Sequence, residues 1–121
     1  MTLQECYEAI GGNYEDVFGR FRKESLIRKF VLKFLNDPSF DALCKGMESK
    51  NQEEAFRAAH TLKGVCQNLA FVQLYESSKD LTEQLRPGQD MAQVDGALFK
   101  RLQEDYRRTA DAIRQLEQEE S

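Results

Sequence analysis

The sequence is poor in the residues from which metal and redox sites are built. It has one histidine, His60, and three cysteines, Cys6, Cys44 and Cys66, none of which forms a C-x-x-C pair. A zinc site of the Cys/His type needs three or four such ligands close together. An odd number of scattered cysteines is typical of reduced thiols that pack as small apolar side chains. We therefore expect no metal and no cofactor in this protein.

Other absences exclude further classes of function. No run approaches the ~18 apolar residues of a membrane span, and the N-terminus MTLQECYEAI lacks the features of a signal peptide. The net charge of -4 argues against direct binding of nucleic acid, which typically requires a basic protein. There is no glycine-rich phosphate loop and no aspartate cluster near His60 for Mg²⁺. We expect a cytoplasmic protein without nucleic-acid or membrane contact and without the machinery of a kinase or hydrolase.

The composition is that of a folded domain. Hydrophobic residues make up 40% and charged residues 31% of 121 residues, which is enough to bury a core. No segment alternates like a strand, whereas four sizeable segments carry apolar stripes at helical spacing. This pattern predicts an all-α fold, an antiparallel four-helix bundle with short extra N-terminal helices. We expect a single domain over residues 1–121, with an N-terminal helical cover over 1–24 and the bundle core over 25–118.

Several helix boundaries are marked by capping residues. Thr2 and Glu5 have the spacing of a capping box, and Asn13 is a candidate N-cap for a second short helix. Asp90 is expected to cap the last helix, and the closing EQEES is expected to be a solvated tail. Pro38 leaves two alternatives open, because it can either separate two helices or kink one long helix.

The helix around His60 has two different faces. Asn51, three residues before Glu54, starts it, and one apolar seam follows at alternating steps of four and three. The seam consists of Ala55, Ala59, Leu62, Cys66 and Leu69. His60 lies away from this seam and shares its face with residues 63, 64 and 67. The glycine among these lies in mid-helix, where it costs about 1 kcal/mol relative to alanine, and this suggests the close approach of a partner.

The same stretch resembles a known family. His60-Thr61-Leu62-Lys63-Gly64, followed by Asn68-Leu69-Ala70, is similar to the H-x-L-K-G signature of histidine-containing phosphotransfer (HPt) domains. Arg57-Ala58-Ala59 before it and Leu74, Leu81 and Leu85 after it also fit the helical pattern of that family. The resemblance is firm over about residues 30 to 86. It implies the same four-helix architecture, and the absence of a linker after Glu117 favours the stand-alone form.

The resemblance also implies a function and a set of partners. His60 would carry a phosphoryl group between receiver-domain aspartates in a multistep two-component phosphorelay, with Lys63 as its electrostatic helper and Gly64 as clearance for the receiver. The acidic pocket and Mg²⁺ would belong to the partner, so the chain is expected to be a carrier and not an enzyme by itself. Its expected partners are response-regulator receiver domains and a hybrid sensor kinase, and we expect a monomer.

Further contacts follow from position on the helix. Arg57 and Gln67 are expected to touch the partner, and the positive charges of Arg57 and Lys63 would disfavour a protonated ring and stabilise the phosphoryl group. Phe56 and Phe71 could form an apolar docking rim, and packing against the N-terminal helices is the alternative for both.

Two departures from the family and two rival functions accompany this interpretation. Small residues are common in the family just after the signature glycine, where this chain has Val65, Cys66 and Gln67. The family often has a glycine where this chain has Ala70, and we expect that change to affect helix packing more than phosphoryl chemistry. The first rival is a non-phosphorylated helical adaptor with the same fold. The second is the excised phosphoacceptor domain of a sensor kinase.

Overall fold

The computed structural model describes residues 1–120, and Ser121, the last residue of the predicted domain, lies outside them. Within this range the chain is helical and contains no strand. The α-helices are α1 Leu3–Ala9, α2 Tyr14–Phe21, α3 Glu24–Lys33, α4 Ser39–Glu48, α5 Gln52–Asn68, α6 Val72–Gln84 and α7 Gly96–Glu120. Short 3-10 turns cover Phe34–Asn36 and Met91–Gln93. The predicted all-α class is confirmed.

Helices α4 to α7 form the antiparallel bundle. α4 packs on α5, α5 on α6 and α6 on α7. Arg101 of α7 forms an ion pair with Asp80 of α6 at 2.6 Å, and the Asp95 N–H donates to the Gln84 side chain at 2.8 Å, so these two helices run in opposite directions. A stacked pair of rings, Phe40 and Tyr106 at 3.8 Å between centroids, joins α4 to α7 and closes the bundle.

Pro38 separates two helices and does not kink a single one. The chain leaves α3 through the 3-10 turn, and Asp37 is extended, with φ -71° and ψ 128°. Proline lacks an N–H, and its ring disfavours helical geometry in the preceding residue, so α3 cannot continue through this point. The Asp37 carboxylate accepts a hydrogen bond from the Ser39 N–H at 2.9 Å and thereby satisfies a donor at the start of α4.

The last helix begins later than the sequence suggested. Asp90 caps the 3-10 turn, where its carboxylate accepts from the Ala92 N–H at 2.9 Å, and the extended Val94 then interrupts the helix. Asp95 accepts from the Ala97 N–H at 2.9 Å, and α7 starts at Gly96. The expected cap at Asp90 was therefore wrong for α7. The expected solvated tail is exposed at residues 117–119, but residues 117–120 continue α7 as a helix, and Ser121 lies outside the described residues.

The first two helices cover the bundle end at which α5 turns into α6. The buried face of α1 consists of Leu3, Cys6, Tyr7 and Ile10. The capping box of Thr2 and Glu5 and the cap at Asn13 are both present. Among residues 1–120 no helix combines the length and the apolar character that a membrane span requires.

Candidate functional site

The helix that carries His60 is built as its sequence pattern predicts. The Asn51 side chain accepts a hydrogen bond from the Glu54 N–H at 3.1 Å, which caps α5. All five residues of the predicted seam are buried: Ala55, Ala59, Leu62, Cys66 and Leu69. Because this seam faces the other bundle helices, the opposite side of α5 faces solvent. His60 lies in the middle of that side and is exposed.

The imidazole of His60 has an aromatic neighbour one turn earlier. The ring of Phe56 lies 6.1 Å from it between centroids, with the two planes inclined by 19°. Phe56 is half-buried, and both rings border a groove of about 650 Å³ between α5 and the link from α6 to α7. The far wall of this groove is formed by Leu85, Pro87 and Gly88. The histidine therefore has apolar surface on its Phe56 side, while the residue as a whole remains exposed.

Gly64 leaves space beside the histidine. It is exposed, and a Cβ atom built on it would meet no atom of this chain within 4 Å. Packing inside the molecule therefore does not require glycine at this position, although glycine destabilises a helix interior by about 1 kcal/mol relative to alanine. The open surface extends from His60 toward Gln67, whose side chain is also exposed.

Each of the two cations near His60 has a carboxylate in its neighbourhood. Arg57 is exposed and binds the Glu53 carboxylate at 2.8 Å, one turn earlier on α5. Lys63 is half-buried on the other side of His60. The pKa of Glu83 lies below its usual range, chiefly because Arg86 donates a hydrogen bond to it, and Lys63 contributes to the same shift. The i, i+4 spacing of Glu53 and Arg57 is a signal that could have shown the first pair in the sequence.

The site is an exposed histidine on one helix of a helical bundle. The comparison with protein families is consistent with this architecture. A family model described as the Hpt domain matches residues 34–119. The chain belongs to the Hpt domain family. No curated protein and no solved structure gives a significant match to it.

Hpt domains are phosphotransfer carriers that work with receiver domains in phosphorelays. In this Hpt domain the matched region contains α4, α5, α6 and all but the last residue of α7, whereas α1, α2 and α3 precede it. The residues expected to form the site are all on α5 apart from one. His60, Lys63, Gly64, Gln67, Arg57 and Phe56 lie along its exposed and half-exposed side.

Phe71 is the exception, and its assignment to a docking rim was wrong. Its side chain is fully buried between Tyr7, at 5.6 Å, and Phe34, at 5.2 Å between ring centroids. α5 ends at Asn68, so Phe71 no longer follows the helical phase that placed it near His60. The alternative, packing against the N-terminal helices, is what the structure shows.

Ala70 has a conformational role that the sequence did not reveal. It adopts φ +56°, the left-handed region, immediately after α5. The Phe71 N–H returns to the Cys66 carbonyl at 2.9 Å, and the Ala70 N–H to the Gln67 carbonyl at 3.2 Å, as at many helix ends. A glycine at this position in other Hpt domains would suit that backbone. Our expectation that Ala70 mainly affects helix packing was therefore incomplete.

The end of α5 is completed by residues from the N-terminal cover, which sequence reasoning missed. The last carbonyl groups of a helix have no partner within it. Here the carbonyls of residues 67 and 68 accept from the Arg20 guanidinium, that of residue 69 from the Tyr7 hydroxyl at 2.8 Å, and that of residue 70 from the Asn13 N–H at 2.9 Å. No local signal indicates these contacts, because the partners are about 50 to 60 residues apart in sequence.

Gln52 anchors the opposite end of the same helix. Its side-chain amide lies within 3.2 Å of the carbonyls of Leu85, Arg86 and Gln89. An amide group has two hydrogens, so it can donate to two of the three at one time. Gln52 thus holds the link between α6 and α7 that forms the wall of the groove beside His60.

Proposed function

We propose that His60 of this Hpt domain carries a phosphoryl group between receiver-domain aspartates in a multistep cytoplasmic phosphorelay. The observation that carries the proposal is the position of His60. It is the only histidine in the chain, it lies exposed at the middle of α5, and Gly64 one turn later leaves the approach open.

The transfer step requires a neutral imidazole and an activated phosphoryl donor. A lone pair on an exposed ring nitrogen of His60 attacks the phosphorus of the aspartyl phosphate in the receiver. A P–N bond forms while the bond between phosphorus and the aspartate oxygen breaks, and the electron pair of that bond leaves with the carboxylate. The reverse reaction transfers the phosphoryl group to the next receiver.

The neighbouring residues have distinct roles in this proposal. Lys63 stabilises the roughly two negative charges of the phosphoryl group, with Arg57 as a second cation once it exchanges its exposed partner Glu53 for the phosphate. An exposed i, i+4 ion pair is worth only about 0.3–0.5 kcal/mol, so this exchange costs little. Gly64 admits the receiver surface, and Gln67 and Phe56 contact it on either side of the histidine.

The decisive experiment is phosphoryl transfer from purified receiver domains of the same organism. Each receiver is labelled with radioactive phosphate on its aspartate and mixed with the wild type or with His60→Ala, and the products are separated on alkaline gels. We expect acid-labile label on the wild type and none on His60→Ala. Circular dichroism should show the same helix content in both proteins, because an exposed side chain contributes little to the fold.

Two results would contradict the proposal. Label on His60→Ala would place the acceptor elsewhere in the chain. Absence of label on the folded wild type with every receiver would favour the adaptor, which keeps the fold but carries no phosphate. Lys63→Gln provides a graded test, since loss of a half-exposed charge worth about 1 kcal/mol or less should slow transfer by about fivefold at most.

A further inference from the structure

The charge of this chain is unevenly distributed. Residues 20–33 contain six basic residues and one acidic residue, a net charge of +5. The rest of the chain contains 11 basic and 20 acidic residues, a net charge of -9, and the two together give the total of -4. The overall charge therefore conceals a strongly basic segment made of the end of α2 and all of α3.

Part of this positive charge lies against the C-terminal half of α5. The Arg20 guanidinium binds the carbonyls of residues 67 and 68 and also pairs with the Asp16 carboxylate at 3.2 Å. Lys33 of α3 lines one groove with Asn68 of α5, and among the described residues Asp37 is the one carboxylate in that groove. Lys29 lies one turn before Lys33 on the same side of α3 and is exposed. We call Arg20, Lys29 and Lys33 the basic shoulder.

The basic shoulder lies within reach of a protein that docks on His60. Residues 65 to 68 follow His60 by five to eight positions, which corresponds to about 8–12 Å along the helix axis. A typical interface buries about 800 Å² on each partner, equivalent to a disc with a radius of about 16 Å. Residue 68 lies about 80° around α5 from His60 and lines the groove with Lys33, so a receiver centred on His60 would reach the border of the shoulder there.

The chemistry of the partner matches the sign of this charge. A protein that presents an aspartyl phosphate and binds Mg²⁺ must gather several carboxylates at its reacting surface. The net charge of -9 outside the basic segment would repel such a surface, whereas the shoulder would attract it. Complementary charge raises association rates by ten to a thousandfold and orients the encounter.

We propose that the basic shoulder is a docking surface for the acidic rim of the receiver domain that exchanges phosphate with His60. The inference rests on the proposed function and adds to it the site of charge recognition. It assigns the shoulder to the N-terminal helices, which precede the family-matched residues 34–119. Partner choice would then depend on a part of the chain separate from the phosphoryl-carrying helix.

The test compares two charge-reversed double variants. Lys29→Glu/Lys33→Glu alters the shoulder. The control is Lys100→Glu/Arg107→Glu, at two exposed positions of α7, the bundle helix that packs chiefly on α6. Both double variants change the net charge from -4 to -8. Arg20 is left intact because it caps α5.

The measured quantity is the second-order rate constant for transfer from the labelled receiver that the wild type discharges fastest. It is determined at ionic strengths of about 0.01 M and about 0.15 M, where the Debye length is about 30 Å and about 8 Å. We expect the shoulder variant to be slower than the control by about tenfold or more at low salt, and by about twofold at the higher salt.

Three results would overturn the inference. Equal rate constants and equal salt dependence in the two double variants would show that the shoulder does not contact the receiver. Equal rates combined with loss of binding to phosphatidylserine vesicles only in the shoulder variant would assign the surface to a membrane. Failure of the wild type to accept label from any receiver would overturn the proposed function together with this inference, and that outcome is distinct from the first two.

Discussion

Gly46 of α4 lies directly against the backbone of Ala55 in α5. A Cβ atom at position 46 would be 2.7 Å from the Ala55 nitrogen and 2.9 Å from its Cα, closer than real atoms approach. The obstacle is backbone and not a flexible side chain, so only a shift of one helix against the other would relieve it. The absence of a side chain at Gly46 therefore sets the spacing between α4 and the helix that carries His60.

We expect Gly46→Ala to destabilise the fold by about 1–3 kcal/mol, the usual cost of forcing an extra group into a packed interface. Urea unfolding followed by circular dichroism measures this change. Gly96→Ala is the control, because a Cβ at the exposed start of α7 meets no atom within 4 Å. A Gly46→Ala midpoint equal to that of the wild type would show that the two helices can separate at no cost.

Gly64→Ala should have the opposite effect on stability and a damaging effect on function. The added methyl group meets no atom of the chain, so we expect a gain of about 0.5–1 kcal/mol from helix propensity alone. If a receiver approaches over Gly64, phosphoryl transfer should nevertheless fall by about tenfold or more. Transfer at the wild-type rate in a stabilised Gly64→Ala protein would show that the receiver does not need the space that this glycine leaves.

Arg20→Ala should loosen the end of α5. It removes the donors to the carbonyls of residues 67 and 68, and we expect a loss of about 1 kcal/mol because Arg20 is partly exposed. Hydrogen exchange should increase for the amides of residues 69–71, which close the helix. Arg22→Ala is the control, since within the described part of the chain the Arg22 side chain donates to the local Gly19 carbonyl and to no other group. Equal exchange in both variants would argue against a capping role.

Ser78 has a buried hydroxyl that lacks a hydrogen-bond partner among residues 1–120. The hydroxyl of Ser77 donates to the Leu74 carbonyl at 3.2 Å. Removing an unsatisfied polar atom recovers a desolvation cost, so Ser78→Ala should stabilise the fold by about 1 kcal/mol. Ser77→Ala removes a hydroxyl that has a partner, so its free energy of unfolding should be lower than that of Ser78→Ala by about 1 kcal/mol. Thermal unfolding of the two variants under identical conditions checks the order, and the reverse order would contradict it.

Stability should decline at alkaline pH. Burial raises the pKa of the Cys6 thiol from 9.0 to about 11, and burial also raises the pKa of the Cys66 thiol and of the Tyr7 hydroxyl. The folded state thus favours the neutral forms, and their contribution is complete below about pH 9 and is lost as the pH rises through the folded pKa values. For each such thiol the loss is about 1.4 kcal/mol per pH unit.

Urea unfolding at a series of pH values measures this decline. We expect the free energy of unfolding to begin to decline above about pH 8, where the Met1 ammonium, whose pKa is raised by its hydrogen bond to Glu119, loses its proton. A steeper fall should follow above about pH 9, where the buried thiols ionise in the unfolded chain. Cys6→Ala should show a shallower slope between about pH 9 and about pH 11, whatever its starting stability. An identical slope in Cys6→Ala and the wild type would show that Cys6 ionises freely in the fold.

Much of the helical framework could be predicted from the sequence because the relevant forces act locally. The caps at Thr2, Asn13 and Asn51 use side chains within three residues of their partners. The seam of α5 follows from the helical repeat alone. The same repeat placed His60 and Gly64 on the solvent side, where they are found.

The surroundings of the C-terminal end of α5 were decided by tertiary structure. Phe71 is buried because Tyr7 and Phe34, distant in sequence, converge on it, and the left-handed Ala70 turns the chain away from the phase of α5. The carbonyls at the end of α5 find donors in the N-terminal helices, and charges scattered over α2 and α3 meet beside its last turns. Local spacing thus determined which faces are apolar and which side chain is offered to solvent. Which helix termini, charged groups and aromatic rings of other helices lie around α5 depends on how the separate helices pack.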